Sequence, residues 1–236
     1  MNDILVFSKN VKDHATHLKK VIDTLTKANL RLRVEKCHFC YKKIALLGHI
    51  LTKDSQEIDP SKVSNFMELP RPITGKQVES YLGLASYLRD YIPMYARIAA
   101  PLEALRKVKK ITDDLWTKNC QEAFDIFKKV LSAPPILSMP LDVVLFSIRI
   151  DTSKYKIGAI LYQKTNQGKR FICFASKALN KSQSNYPATK KELLAIMFAL
   201  QKFRPWIYGR HFTLYSNHRA LSFLLTQKQE NAMLRN

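Results

Sequence analysis

Acidic residues are scarce. Asp and Glu number 19 against 39 Lys and Arg, for a formal charge of +20. Such an imbalance concentrates polyanions at a surface and releases their counterions on binding. Nucleic acid is therefore the expected partner, with a ribosome-like or chromatin-like basic protein as the alternative. No apolar stretch approaches the roughly 20 residues of a membrane-spanning helix, so no membrane association is expected. The opening MNDILVFSKNVKD carries neither a basic leader nor a cleavage site, which predicts a chain that is not secreted. Cysteine is also sparse, with 4 scattered residues that exclude a secreted disulfide framework and fit an intracellular protein with reduced thiols. Cys37 and Cys40 share the segment KCHFC with His38, and His49 follows. A tetrahedral zinc site needs a fuller ligand set than this, and no second Cys pair exists. A strand–turn–strand with partly buried thiols is expected there.

What is present suffices for cores. Hydrophobic residues make up 46% and aromatics 10% of 236 residues, enough for two small domains. ILVF at 4–7 reads as a short buried strand. Apolar residues from Val11 to Leu30 recur at helical spacing. LRLRV at 30–34 and IALLGHIL at 44–51 read as a hairpin closed by KCHFCYK, with Gly48 inside the second strand. Asp59-Pro60 marks a helix start. Thr74 caps a helix whose apolar face is Val78, Tyr81, Leu82, Ala85, Leu88 and Ile92. Pro101 starts or kinks another, and a last helix of this group spans 117–131. SAPPILSMP at 132–140 reads as a connector and the clearest boundary. Beyond it the pattern becomes strands at 143–150, 156–163 and 170–176, a helix at 189–203, a strand at 211–216 and a further helix opening with HRALSFLLTQ. The whole is a mixed α/β chain.

Three residues of this half invite chemistry. Asp151 ends the first strand, Glu192 lies near the start of the long helix, and Asn217 ends the fourth strand. If the first and fourth strands are parallel neighbours, their ends meet, and a helix packed across them brings Glu192 to the same place. Clustered carboxylates of this kind hold paired divalent metals for phosphodiester hydrolysis, and hard oxygen ligands favour magnesium. The plainer reading is that Asp151 caps a turn and Glu192 is a first-turn helix acid.

FSIRIDTSKYKIGAILYQ and FASKALNKSQSNYPATKKELLAIMFALQKFRPWIYGRHFTLYSNHRAL closely resemble the ribonuclease H domain of gypsy-type LTR retrotransposon Pol polyproteins. The resemblance implies that Asp151 and Glu192 are metal-binding residues. In the family an Asp precedes the His that is His218 here, and this chain carries Asn217 in its place. MNDILVFS resembles the end of the reverse transcriptase Tyr-x-Asp-Asp hairpin, so Asp3 matches its second Asp, whereas Asn2 replaces the first. LLGHI at 46–50 resembles the Leu-Gly-His turn at the primer end, and ESYLGLASYLRDYIPMYARIAAPLEAL at 79–105 resembles the thumb helices. The resemblance implies an α+β palm remnant over 1–72, a helical thumb over 73–140 and a ribonuclease H-like domain over 141–236. It also implies that further palm and ribonuclease H sequence belongs on either side, so a complete polymerase site is not expected within this chain. Gly48, His49, Tyr87, Arg89, Arg97 and His218 become candidate nucleic-acid contacts. The implied activity is RNA-directed DNA synthesis and magnesium-dependent hydrolysis of RNA in RNA–DNA hybrids, impaired here, in a cytoplasmic particle or the nucleus. A non-catalytic nucleic-acid-binding remnant is the alternative.

Overall fold

The computed structural model describes residues 3–218. The first helix, α1 (Val11–Lys27), begins where the Asn10 side chain accepts from the Asp13 backbone N–H at 2.9 Å. Leu18, Val21 and Leu25 form a half-buried stripe along it, and no residue of α1 is fully buried. Three short antiparallel strands follow, β1 (Ile44–Leu46), β2 (His49–Leu51) and β3 (Ser55–Ile58).

The hairpin lies inside 44–51 rather than across KCHFCYK. Leu47 and Gly48 both adopt positive φ, 47° and 69°, between the paired residues Leu46 and His49. That two-residue turn matches the twist of its flanking strands, so it wins over a longer loop. Gly48 is therefore a turn residue. LRLRV forms no strand. It runs irregularly into a 3₁₀ turn at Val34–Lys36, because its alternation finds no ladder partner among the described residues. The same holds for ILVF at 4–7, where Phe7 is 83% exposed. KCHFC forms no strand either: Cys40 takes a positive φ and is exposed, and Cys37 is half-buried.

The helical module matches its sequence pattern. Asp59 caps α2 (Pro60–Met67) and Thr74 caps α3 (Gly75–Tyr87). α4 (Tyr95–Glu103) begins ahead of Pro101, which sits inside it, and α5 (Lys118–Ser132) closes the group. Val78, Tyr81, Leu82, Ala85, Leu88 and Ile92 are all buried, packed with Phe66, Phe124, Phe127 and Leu131. The connector at 132–140 is more than a linker. Its β4 (Leu137–Ser138) pairs with β3 and completes the first sheet.

The second sheet contains β5 (Phe146–Thr152), β6 (Lys156–Thr165), β7 (Gly168–Ala178) and β8 (Phe212–Tyr215), in the order β7-β6-β5-β8. β8 runs parallel to β5. A short helix, α6 (Lys181–Ser184), precedes the long α7 (Ala188–Ile207). α7 lays Ala195, Ala199 and Phe203 against Ile148, Ile150, Ile157, Ala159 and Leu161. On the other face, Phe174, with Ile160 and Phe171, joins the core of the helical module. Ser176 fastens that contact: its carbonyl accepts from Arg89 at 2.7 Å and its hydroxyl from the Ala96 N–H at 2.9 Å. The helix expected from HRALSFLLTQ lies outside the described residues beyond His218.

Candidate functional site

The ends of β5 and β8 form the site. Their last registered pair is Arg149 with Tyr215; two residues on, Asp151 is still paired with β6 while Asn217 lies just past the end of β8. Side chains alternate along a strand. Ile148, Ile150 and Thr152 therefore face α7, whereas Arg149 and Asp151 face the helical module. Asp151, Arg149 and Asn217 line one cavity of about 350 Å³, together with Pro93 and Met94 from the turn before α4. Met94 lies over Gly158, the partner of Asp151 on β6, and a Cβ added there would meet its sulfur at 2.6 Å.

Glu192 belongs to the opposite face. It is 7% exposed, and both of its carboxylate oxygens accept from hydroxyls. Thr152 Oγ1 donates to Oε1, and Ser216 Oγ donates to Oε2 at 3.0 Å. Each parallel strand thus gives α7 one hydroxyl residue and gives the cavity its neighbour. The structure joins Asp151 with Asn217 but holds Glu192 through Thr152 and Ser216. His218 stays on the Glu192 side, where its Nε2 lies 3.4 Å from Thr189 Oγ1 and its backbone N–H donates to Ser216 Oγ. Thr152, Ser216 and Arg149 are functional candidates that motif matching passed over. The signal for them was the two-residue period itself.

The candidate nucleic-acid contacts divide into occupied and free groups. His49 is half-buried, with ring centroids 5.6 Å from both Tyr87 and Tyr91 and near-parallel planes. Its Nδ1 lies 3.0 Å from the Tyr91 hydroxyl. Burial lowers the His49 pKa, opposed by the charge of Asp90. Gly48 approaches the Tyr87 ring, with an added Cβ 3.0 Å from its hydroxyl, and that hydroxyl donates to the Leu47 carbonyl. Arg89 is engaged by Ser176 and stacks 5.2 Å over Tyr95. Arg97 and Asp3 are exposed, and Asn2 lies outside the described residues.

A mixed sheet with one parallel edge strand, backed by a long helix and joined to a helical module, defines a ribonuclease H-like domain in a reverse transcriptase setting. The family described as an RNase H-like domain found in reverse transcriptase matches residues 116–214, and that described as reverse transcriptase (RNA-dependent DNA polymerase) matches residues 1–51. The chain is 36% identical to the Pol polyprotein from transposon 297 of Drosophila melanogaster over 99% of its length and 22% of that protein's. It is 33% identical to the Pol polyprotein from transposon gypsy of the same fly over 100% of the chain and 23% of that protein. A foamy viral protease-reverse transcriptase solved in complex with an RNA/DNA hybrid superposes with a TM-score of 0.75 at 20% identity, over 96% of this chain and 31% of that one. The chain belongs to the retrotransposon Pol family, with reverse transcriptase and ribonuclease H-like domains. It spans less than a quarter of the length of these polyproteins.

Domains of this family use divalent metal ions. The residues here do not fit such an ion well. The Asp151 face carries one carboxylate, one neutral amide and a guanidinium, while Glu192 has its oxygens taken by hydroxyls on the other face. Among the described residues no group of three or more His, Cys, Asp or Glu side chains stands close enough to share a metal. No helix among them is long and apolar enough to cross a membrane.

Proposed function

We propose that this chain is a nucleic-acid-holding part of a reverse transcriptase–ribonuclease H protein inside the cell, binding RNA–DNA hybrid with its hydrolytic site impaired. Residues 1–72 act as palm, 73–140 as thumb and 141–236 as the ribonuclease H-like domain; two hydrophobic cores, one mainly from the helical module and the other from the second sheet and α7, support the boundary near residue 140. The charge of +20 supports the ligand class. One observation carries the impairment: Asp151 shares its cavity with Asn217 and Arg149 instead of with Glu192. An amide offers magnesium no charge, and a guanidinium repels it. Asp151 and Glu192 remain the residues through which any residual magnesium binding would run.

Binding and cleavage separate these statements. Fluorescence anisotropy with a labelled RNA–DNA hybrid is expected to show affinity that falls steeply with added salt. Gel analysis of the same mixture with magnesium is expected to leave the RNA strand intact. Salt-independent binding overturns the ligand assignment. Magnesium-dependent cleavage lost in Asp151→Asn overturns the impairment and makes the chain an active nuclease.

A further inference from the structure

Three polar side chains line the cavity between the Met94 turn and the second sheet: Arg149, Asp151 and Asn217. None of them takes part in an ion pair among the described residues. The hydroxyls at that strand end serve Glu192 on the other face instead. The rest of the lining is largely apolar, with Met94 from the turn and Ile160 and Phe174 from the sheet. A volume of about 350 Å³ falls within the roughly 300–1,000 Å³ of small-molecule sites. Met94 sits at φ 56°, a left-handed conformation uncommon for a side chain of this size, and such residues cluster at ligand clamps. A phosphate there would meet a carboxylate beside its one cation. A flat ring with polar edges suits both the apolar lining and the mixed charges. An ionised carboxylate only accepts hydrogen bonds, and a guanidinium only donates them. Arg149 and Asp151 stand two residues apart on one face of β5, roughly 6–7 Å along it. The ligand must therefore offer donors at one edge and acceptors at another. Guanine does so, with N1–H and its amino group side by side and O6 and N7 beyond them. Adenine and cytosine set a ring acceptor beside their amino group, and uracil has a single donor between two acceptors. Each of those turns a lone pair toward an Asp151 oxygen.

We propose that this cavity is a pocket for one unpaired guanine base. Asp151 accepts from N1–H and the amino group, Arg149 donates to O6 or N7, and Asn217 adds a neutral polar contact. An unpaired base taken up in this way is read by its edges and held between apolar side chains. Guanine on a nucleic-acid strand and a free guanine nucleotide share this chemistry. The pocket rests on the nucleic-acid reading above only for the strand as the source of its base.

The test uses the full chain in EDTA and the fluorescence anisotropy of labelled oligoadenylate, with and without one central guanine. The guanine-bearing strand is expected to bind about tenfold tighter, the order of discrimination that one good bidentate contact to a base supplies. Asp151→Asn is expected to erase that preference and Arg149→Gln to reduce it. The preference is a ratio between two strands of equal charge, so partial unfolding lowers both affinities and leaves it unchanged. Lys129→Gln, an exposed position on α5, serves as the control and is expected to keep the preference. Competition by guanosine monophosphate but not by adenosine monophosphate supports the pocket and adds the free nucleotide to its ligands. Competition by neither, with the preference intact, supports it for bases on a strand. Equal binding of the two strands overturns the pocket and leaves the nucleic-acid reading standing. A preference retained in Asp151→Asn overturns the assignment of residues. If neither strand binds, the nucleic-acid reading fails, and calorimetric titration with the two mononucleotides decides the pocket, which is overturned unless the guanine nucleotide binds tighter.

Discussion

Glu192 is a buried carboxylate whose oxygens are satisfied by two strands at once, through Thr152 and Ser216. Hydrogen bonds to a charged acceptor contribute about 1.5–3 kcal/mol, and a buried oxygen left without its donor loses that stabilisation. Thr152→Val removes the donor at nearly constant volume and should lower unfolding free energy by about that amount in urea titrations. His49 supplies a second prediction at this scale. Its pKa is lowered in the folded chain, so the unfolded chain binds its proton more readily. Stability is therefore fullest above the unfolded value of about 6.5 and is lost as pH falls below it. Urea midpoints at pH 7.5 and 5.5 should diverge more for the unsubstituted chain than for His49→Phe.

Elements meet here at places where a side chain would not fit. Gly75 opens α3, and its N–H donates to the Val108 carbonyl at 2.8 Å. A Cβ at this position would stand 2.4 Å from the Arg106 carbonyl oxygen and 2.5 Å from that of Val108. Backbone cannot yield as a flexible side chain does, so Gly75→Ala should cost about 3 kcal/mol, read from the thermal midpoint. The β1–β2 hairpin is anchored differently. Its turn carbonyl at Leu47 accepts from Tyr87 of α3, and His49 stacks between Tyr87 and Tyr91. Residues matched to a primer-end turn thus also fix that turn to the helical module. Tyr87 is half exposed, whereas Arg89 is used in joining the module to β7.

Across the molecule, the helical module and α7 cover opposite faces of one sheet. Anything placed at the end of β5 is therefore dealt to one side or the other by strand alternation. Asp151 goes to the module and Thr152 to α7. This partition underlies the proposed impairment of hydrolysis, because Asp151 and Glu192 then lie on different sides of the sheet.

The sequence by itself determined the charge, the helix faces and the family. The run from Val78 to Ile92 is buried as its spacing required, because a helical period reports burial locally. The parallel pairing of β5 with β8, which the strand order posed only as a condition, is what the sheet contains. Only the tertiary structure decided which acids meet. LRLRV and ILVF had strand patterns but no ladder partner among the described residues, and a strand is stable only when paired. The Pro-rich connector became β4 because β3 offered it an edge. The motif placed Asp151 and Glu192 at one end of one sheet, but their sides of that sheet depended on where α7 and the Met94 turn packed. Those long-range contacts leave no periodic mark in the chain.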